Sequence, residues 1–519
     1  MTKSQYDGLN RRIFAGFGWN GSSYESTITD GYDGGNRLTS AVDSTAGTIT
    51  RQYDGLDNPQ QEVTPLGTAN YQYDSASRRS TIQVVGQSQV SYNFDNANRL
   101  NGITQGSQSV GLNYDNANRR TCLSLPSGVT ESYGYDNDSR IISITYGSGG
   151  TCSSPPSNLG NLTYTYDAAG RRLSMGGSLA AVTLPANVAG GSSTTYNADN
   201  EQVSFNGTTQ TFDANGNLTN DGTNTYSWDS RNHLTGISGG STASFVYDGV
   251  GRRQEKVINS ATTQFVYDGL NPLQELDGAS TPNVTANLLT GLAIGEYYTR
   301  SDSTNNLSTF LRDDSGSTVG LVGSPGTIAT SYIYQPSGAT STSGASSGNL
   351  LQFRGRENDA GTLYYYNARY YSPTNSVLLN SSPSGFQDLQ ATSTMVQPVE
   401  DLCSANPLMC TVIVDALGAA VRYVPPVAAG VAIGLGAAKL CNKLRQGCPP
   451  CNPPVGTECY EPNYGHTHNG WDPHYHMWSR GQGSDCVCHW NKWNGTKGAT
   501  QTPKDGIQEC STYASWPNN

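Results

Sequence analysis

Apolar and polar residues alternate in short runs over most of this chain. In the stretch Ala243–Asp248, Phe245 and Tyr247 fall on one face of an extended strand and Val246 on the other, because successive side chains of a strand point to opposite faces. Such runs end in Tyr-Asp or a close variant. Examples are QYDGLNRR from Gln5, QYDSASRR from Gln72, NFDNANRL from Asn93, NYDNANRR from Asn113, TYDAAGRRL from Thr165, TFDANGNL from Thr211 and VYDGVGRR from Val246. The aromatics Tyr53, Tyr73, Phe94, Tyr114 and Tyr135 lie 20 or 21 residues apart. That period accommodates two strands and two turns. The spacing loosens around Cys152 and Val188 and recovers at Tyr247 and Tyr267. Each unit reads as a hairpin in which the Asp closes an Asx-turn and a Gly such as Gly251 supplies the positive φ the turn needs. Stacked hairpins bury their faces only against neighbours, which makes a quasi-one-dimensional array.

Composition agrees with this pattern. The chain of 519 residues holds 60 Gly and 31 Tyr, and only 14% of residues are charged. Tyr suits a pleated surface and Gly suits tight turns, so strands are favoured over helices. A net charge of −11 argues against nucleic acid as a partner of the repeats. No basic stretch followed by an apolar run opens the chain, so no signal peptide is readable.

Residues 351–373, LQFRGRENDAGTLYYYNARYYSP, are the most specific motif. Phe353, Arg354, Gly355, Arg356, Glu357, Asp359, Gly361, Leu363, Tyr364, Tyr365, Ala368, Arg369, Tyr370, Tyr371 and Pro373 stand in the register of the Rhs repeat-associated core. Together with the Tyr-Asp units, the chain resembles the YD-repeat proteins of the Rhs family, related to toxin-complex C subunits and teneurins. The resemblance implies a long antiparallel β-sheet spiralling around a hollow, with the core segment curling into its end. The number of hairpins predicts an open or partial shell. The core residues are read as structural, with tyrosine bodies filling volume and charges pairing.

The family places an Asp-Pro soon after this segment and a second one downstream, and associates their aspartates with self-cleavage. Here Ser382 stands at the first position and no second Asp-Pro-x-Gly follows. Paired carboxylates are what aspartyl chemistry requires. Asp359 and Asp388 remain nearby, but nothing in the sequence pairs them. The chain is therefore expected not to cut itself.

The domain reading is a YD-repeat shell over 1–350, the core segment over 351–388, a linker with an apolar helical segment over 389–446, and a Cys/His-rich domain over 447–519. Five of the six His fall between Tyr464 and Trp490, and nine of the eleven Cys follow residue 400. His466 and His468, and again His474 and His476, are i,i+2 pairs, so each pair shares a strand face. The expectation is a hairpin of these two pairs holding zinc or another transition metal, with Cys486, Cys488 and His489 completing the site or closing a disulfide. Catalysis, if the tail carries any, is expected to depend on that metal. The region from residue 401 balances eight Lys/Arg against eight Asp/Glu, and so lacks the basic footprint of most nucleases.

Two readings follow. In the first, the chain is an Rhs-type polymorphic toxin or its C-terminal part, secreted or on the cell surface, with the shell as carrier and the tail as effector. Its partners are then an immunity protein and secretion machinery. In the second, it is an extracellular structural or adhesion protein that binds carbohydrate or protein.

Overall fold

The computed structural model describes residues 2–180, 193–359 and 363–380 in full, and in the tail the backbone of five strands between residues 458 and 509. Contacts divide the chain into two compact units, residues 1–412 and 413–519. In the first unit a 16-stranded sheet runs from Lys3–Tyr6 to Arg172–Gly176, and a 14-stranded sheet from Thr211–Phe212 to Thr340–Gly344. Strand order follows chain order in both, as a meander of antiparallel hairpins. A three-stranded sheet starting at Thr194–Tyr196 lies between them in sequence, and a four-stranded sheet, Glu357–Asp359, Leu363–Tyr366, Arg369–Ser372 and Val377–Leu378, follows. Among the described residues helix is confined to the short turns Pro126–Gly128 and Phe353–Gly355.

One repeat shows why the Tyr-Asp unit is built as it is. Asp115 Oδ1 accepts the backbone N–H groups of Ala117 and Arg119, both at 2.9 Å, and Oδ2 accepts Arg119 Nε at 2.7 Å. Asn118 at the tip has φ 63°, the left-handed conformation that Asn tolerates. The Arg119 guanidinium then lies 4.7 Å from the ring centroid of Tyr135, the aromatic of the following repeat. Tyr135 donates its O–H to the Arg120 carbonyl at 2.7 Å. The turn of one unit is thus fastened to the aromatic of the next. The same stacking joins Arg37 to Tyr53, Arg99 to Tyr114 and Arg252 to Tyr267. At Trp228 the indole N–H takes the hydroxyl's place and donates to Leu218 O at 2.7 Å. His233, the one histidine outside the tail, takes the arginine's place: Nδ1 lies 3.1 Å from Asp229 Oδ2 and the ring stacks on Tyr247 at 4.3 Å.

Strand register shifts at the aromatic of these units, for example between Gln72 and Tyr73, Asn113 and Tyr114, and Val246 and Tyr247. Each Tyr-Asp therefore sits at a β-bulge, which bends the strand and re-aims the side chains beyond it. The loosened spacing near Cys152 is stapled, since Cys122 and Cys152 form a disulfide.

The two large sheets share one apolar layer. Ile82, Ile103, Ile144 and Leu162 of the first pack in the same cluster as Val266, Leu289, Leu311 and Val322 of the second. Ion pairs cross between the sheets: Arg79 with Asp268 at 2.6 Å, Arg120 with Glu296 at 2.8 Å, Arg231 with Asp43 at 2.7 Å and Arg252 with Glu62 at 2.7 Å. The shell is open, as the hairpin number predicts. The hollow that the resemblance implies does not lie between these two sheets, because side chains of both inner faces meet there.

Candidate functional site

The core segment carries the densest set of buried charges. Arg253 and Lys256 both lie on strand Arg253–Ile258, three residues apart, and strict alternation would send them to opposite faces. The bulge between Val246 and Tyr247 sets Arg253 opposite Tyr247 and Lys256 opposite Phe245. Both are buried. They meet two buried carboxylates of the core segment. Glu357 accepts from Arg253 at 2.6 Å and from Lys256 at 3.0 Å. Asp359 accepts from Lys256 at 2.8 Å and also from Arg253. Burial opposes ionisation of Asp359, and the Arg253 and Lys256 charges outweigh it, so its pKa is held below the ordinary carboxylate value.

Aromatic groups close around this quartet. Tyr365 lies over the Arg253 guanidinium at 4.1 Å, and Tyr370 accepts from Arg253 at 3.1 Å and pairs with the Tyr247 hydroxyl at 2.8 Å. Phe353 sits between Tyr334 and Tyr364, at 5.6 and 5.7 Å. Tyr364 donates to Gly338 O at 3.0 Å and Tyr371 to Ser337 O at 2.8 Å, tying the segment to the loop before the last shell strand. Arg354 and Gly355 take left-handed φ of 53° and 65° in the turn before Glu357. Arg369 is half-buried, and Pro373 is buried just after strand Arg369–Ser372. Gly361, Ser382 and Asp388 lie outside the described residues. The arrangement can fasten the segment to the shell. It leaves no carboxylate pair free to share a proton, because both acids already accept from two cations.

A second acidic pair lies at the turn after strand Leu307–Arg312. Burial, with Asp314 next to it, raises Asp313 from 3.8 to about 6, while Asp314 pairs with Arg172 at 2.5 Å. Asp313 occupies the Asx position of the repeat, accepting the N–H groups of Ser315 and Ser317, but position 317 offers no guanidinium to its other oxygen.

In the tail, only the second histidine pair of the expected hairpin lies on a described strand. Strand His474–Gln482 pairs antiparallel with Glu458–Asn463, so that His474 faces Asn463 and His476 faces Glu461 in register. Cys488 is opposite Gln482 and His489 opposite Gly481 on strand Cys488–Lys492. Alternation then places His474, His476, Glu461 and Cys488 on one face of the sheet and His489 on the other. His466, His468 and Cys486 lie outside the described residues, as does the apolar segment of 389–446. Sequence alternation predicts the shared face of His474 and His476, but it carries no signal for which strand lies alongside. Among the residues whose side chains are described, no group of three or more His, Cys, Asp and Glu is arranged to hold a metal ion.

Residues 129–373 match the teneurin YD-shell family. No curated protein matches the chain. Among solved structures, TcdB2-TccC3-TEV aligns at 17% identity and TM-score 0.47, over 73% of this chain and 26% of that one. TcdB2-TccC3 without its hypervariable C-terminal region aligns at 18% identity and TM-score 0.49, over 79% and 27%. A structure of the Photorhabdus luminescens Tc holotoxin pore aligns at 18% identity and TM-score 0.30, over 74% and 20%. This chain thus spans about a quarter of the length of these structures.

Proposed function

We propose that this chain, similar to the teneurin YD-shell over residues 129–373, is a toxin-type carrier of the Rhs kind whose shell bears the Cys/His-rich tail as effector, in competition between bacteria. The observation that carries the reading is the fastening of the core segment. Arg253 and Lys256 hold Glu357 and Asp359 against the shell, and a chemically distinct segment follows in the sequence. The Cys122–Cys152 disulfide supports an exported or cell-surface location, since such bonds persist in oxidising compartments.

Within the tail, a transition metal such as zinc would be held by His474 and His476, with Glu461, opposite His476 in register, as a further ligand. Bound there, it would act as a Lewis acid or activate a water. Imidazole and thiolate bind metal only when deprotonated, so affinity falls as pH drops below about 6.

The experiment is growth of a bacterial host that expresses residues 389–519. Growth arrest is expected, with relief by the small protein encoded in the adjoining reading frame and loss of toxicity in the His474→Ala/His476→Ala variant. Unchanged growth with soluble tail present, delivered to cytoplasm and to periplasm in turn, would remove the effector reading.

A further inference from the structure

In the repeat turns at Asp95, Asp115 and Asp136 the aspartate Oδ2 takes the Nε–H of the arginine four residues on, and at Asp54 and Asp213 an Asn amide serves instead. The turn at Asp313 departs from this. Asp313 Oδ1 accepts from Ser315 and Ser317, but the Ser317 hydroxyl is engaged by the Arg354 N–H at 3.0 Å and the Ser315 hydroxyl at 2.8 Å. Among the described residues no cation pairs with Asp313, while its neighbour Asp314 has Arg172 at 2.5 Å.

This turn is also where the second large sheet meets the last strands of the first. Tyr146 donates to Arg312 O at 2.6 Å, and the Asp314 N–H donates to the Tyr164 hydroxyl at 3.2 Å. The Arg172–Asp314 pair is the third link. Strand Arg172–Gly176 ends the 16-stranded sheet and pairs only with Gly160–Tyr166. Its attachment to the other sheet at this corner is therefore the Arg172 side chain, which also lies 5.5 Å from the Tyr164 ring centroid.

The groups facing Asp313 are few. Asp314 adjoins it in the chain, Tyr146, Tyr164 and Arg172 come from the first sheet, Tyr334 from strand Thr327–Tyr334, and Arg354 from the core segment by way of Ser317. Burial raises the three tyrosines, so they stay protonated where a carboxylate titrates. Arg172 is committed to Asp314, and the Arg354 guanidinium lies 5.5 Å from the Phe353 ring centroid. Ionised Asp313 thus places a second negative charge beside Asp314 where one cation serves both. Burial, with Asp314, raises Asp313 from 3.8 to about 6. The closed turn therefore binds a proton that the opened turn releases, and closure weakens as pH rises through about 6.

We propose that this corner is a pH-controlled latch of the shell: the turn holds strands Gly160–Tyr166 and Arg172–Gly176 while Asp313 is protonated and lets them open when it ionises. A shell built this way stays shut in acid and loosens along one edge near neutrality, whatever the tail does.

Hydrogen exchange of the full chain at about pH 5 and about pH 7.5, each amide corrected for its own chemical exchange rate, tests this. Protection of Gly160–Tyr166 and Arg172–Gly176 is expected to fall about tenfold between the two, the drop imposed by a carboxylate titrating at about 6, while strands Gly47–Tyr53 to Gly67–Tyr73 keep theirs. In Asp313→Asn the drop is expected to vanish. In Asp314→Asn, which removes the neighbouring charge and keeps an acceptor for Arg172, its midpoint is expected to move from about 6 toward 3.8. Where Asp313→Asn fails to fold, the midpoint in Asp314→Asn decides. A drop of equal size in the reference strands, a drop that persists in Asp313→Asn and so belongs to the buried Glu131, an unmoved midpoint in Asp314→Asn, or no drop in the wild type would each overturn the proposal.

Discussion

Individual side chains decide how the core segment is held. Removing one member of a buried, mutually compensated charge set leaves the others unpaired, which costs about 3 kcal/mol or more. Asp359→Asn is therefore expected to lower unfolding free energy by about 3 kcal/mol in denaturant titration, since it strands Arg253 and Lys256. The sequence shows that Glu357 and Asp359 need partners, but their identity was hidden. Arg253 lies 106 residues from Asp359, and only the bulge at Tyr247 turns Arg253 and Lys256 to the same side. The pH dependence of stability also belongs at this scale. Burial works against the Glu62 carboxylate, yet Arg252 and Arg51 hold its pKa at about 2, below the 4.5 of an ordinary Glu. Its contribution is present above that ordinary value and is lost as pH falls toward 2. Asp313 has the opposite sign. With its pKa raised from 3.8 to about 6, the folded chain holds a proton that the unfolded chain releases, so stability falls as pH rises across that window. Asn keeps the oxygen that accepts from Ser315 and Ser317. Asp313→Asn is thus expected to flatten this limb and to add about 1–2 kcal/mol at pH 7, measured by thermal melts from pH 4 to 8.

Among the elements, the hairpin repeat was the most legible. The Asx-turn, the positive φ of Gly251 at 86° and the shared face of Phe245 and Tyr247 all follow from residue type and alternation. The link between repeats was not legible, because it needs the distance from an arginine to an aromatic one period later, which the sheet twist sets. The Arg119 side chain both closes its own turn and stacks on Tyr135. Arg119→Ala is expected to cost about 1–2 kcal/mol, and Arg119→Lys nearly as much because Lys cannot span both contacts as a planar fork. Equal stability of the Lys variant and the wild type in urea titration would refute the stacking role. The Cys122–Cys152 link closes a 30-residue separation, so its removal as a Ser/Ser double variant is expected to cost about 3 kcal/mol by chain entropy. The tail hairpin is the other lesson here. Period two predicts the shared face of His474 and His476, while the strand alongside, Glu458–Asn463, is chosen by packing and turn length, which alternation does not carry.

At the scale of the molecule, the open shell follows from repeat number, whereas the filled space between the two large sheets does not. The ion pairs across that seam join residues up to 190 positions apart, which no local pattern reveals. Glu357 and Asp359 act here as fasteners, and residue 382, where the resemblance leads one to expect an aspartate, is Ser. Intact-mass analysis of purified full chain is accordingly expected to show one species of 55.2 kDa, with no fragments from a cut near residue 382. The central claim is that the core segment and the shell strand Arg253–Ile258 form one cooperative unit through their buried charges. Hydrogen exchange of the full chain, wild type against Asp359→Asn, tests it most directly. The account predicts that amides of Glu357–Asp359, Leu363–Tyr366 and Arg253–Ile258 lose protection together while strands Lys3–Tyr6 to Gly67–Tyr73 keep theirs; loss confined to the core segment, with Arg253–Ile258 unchanged, would contradict it.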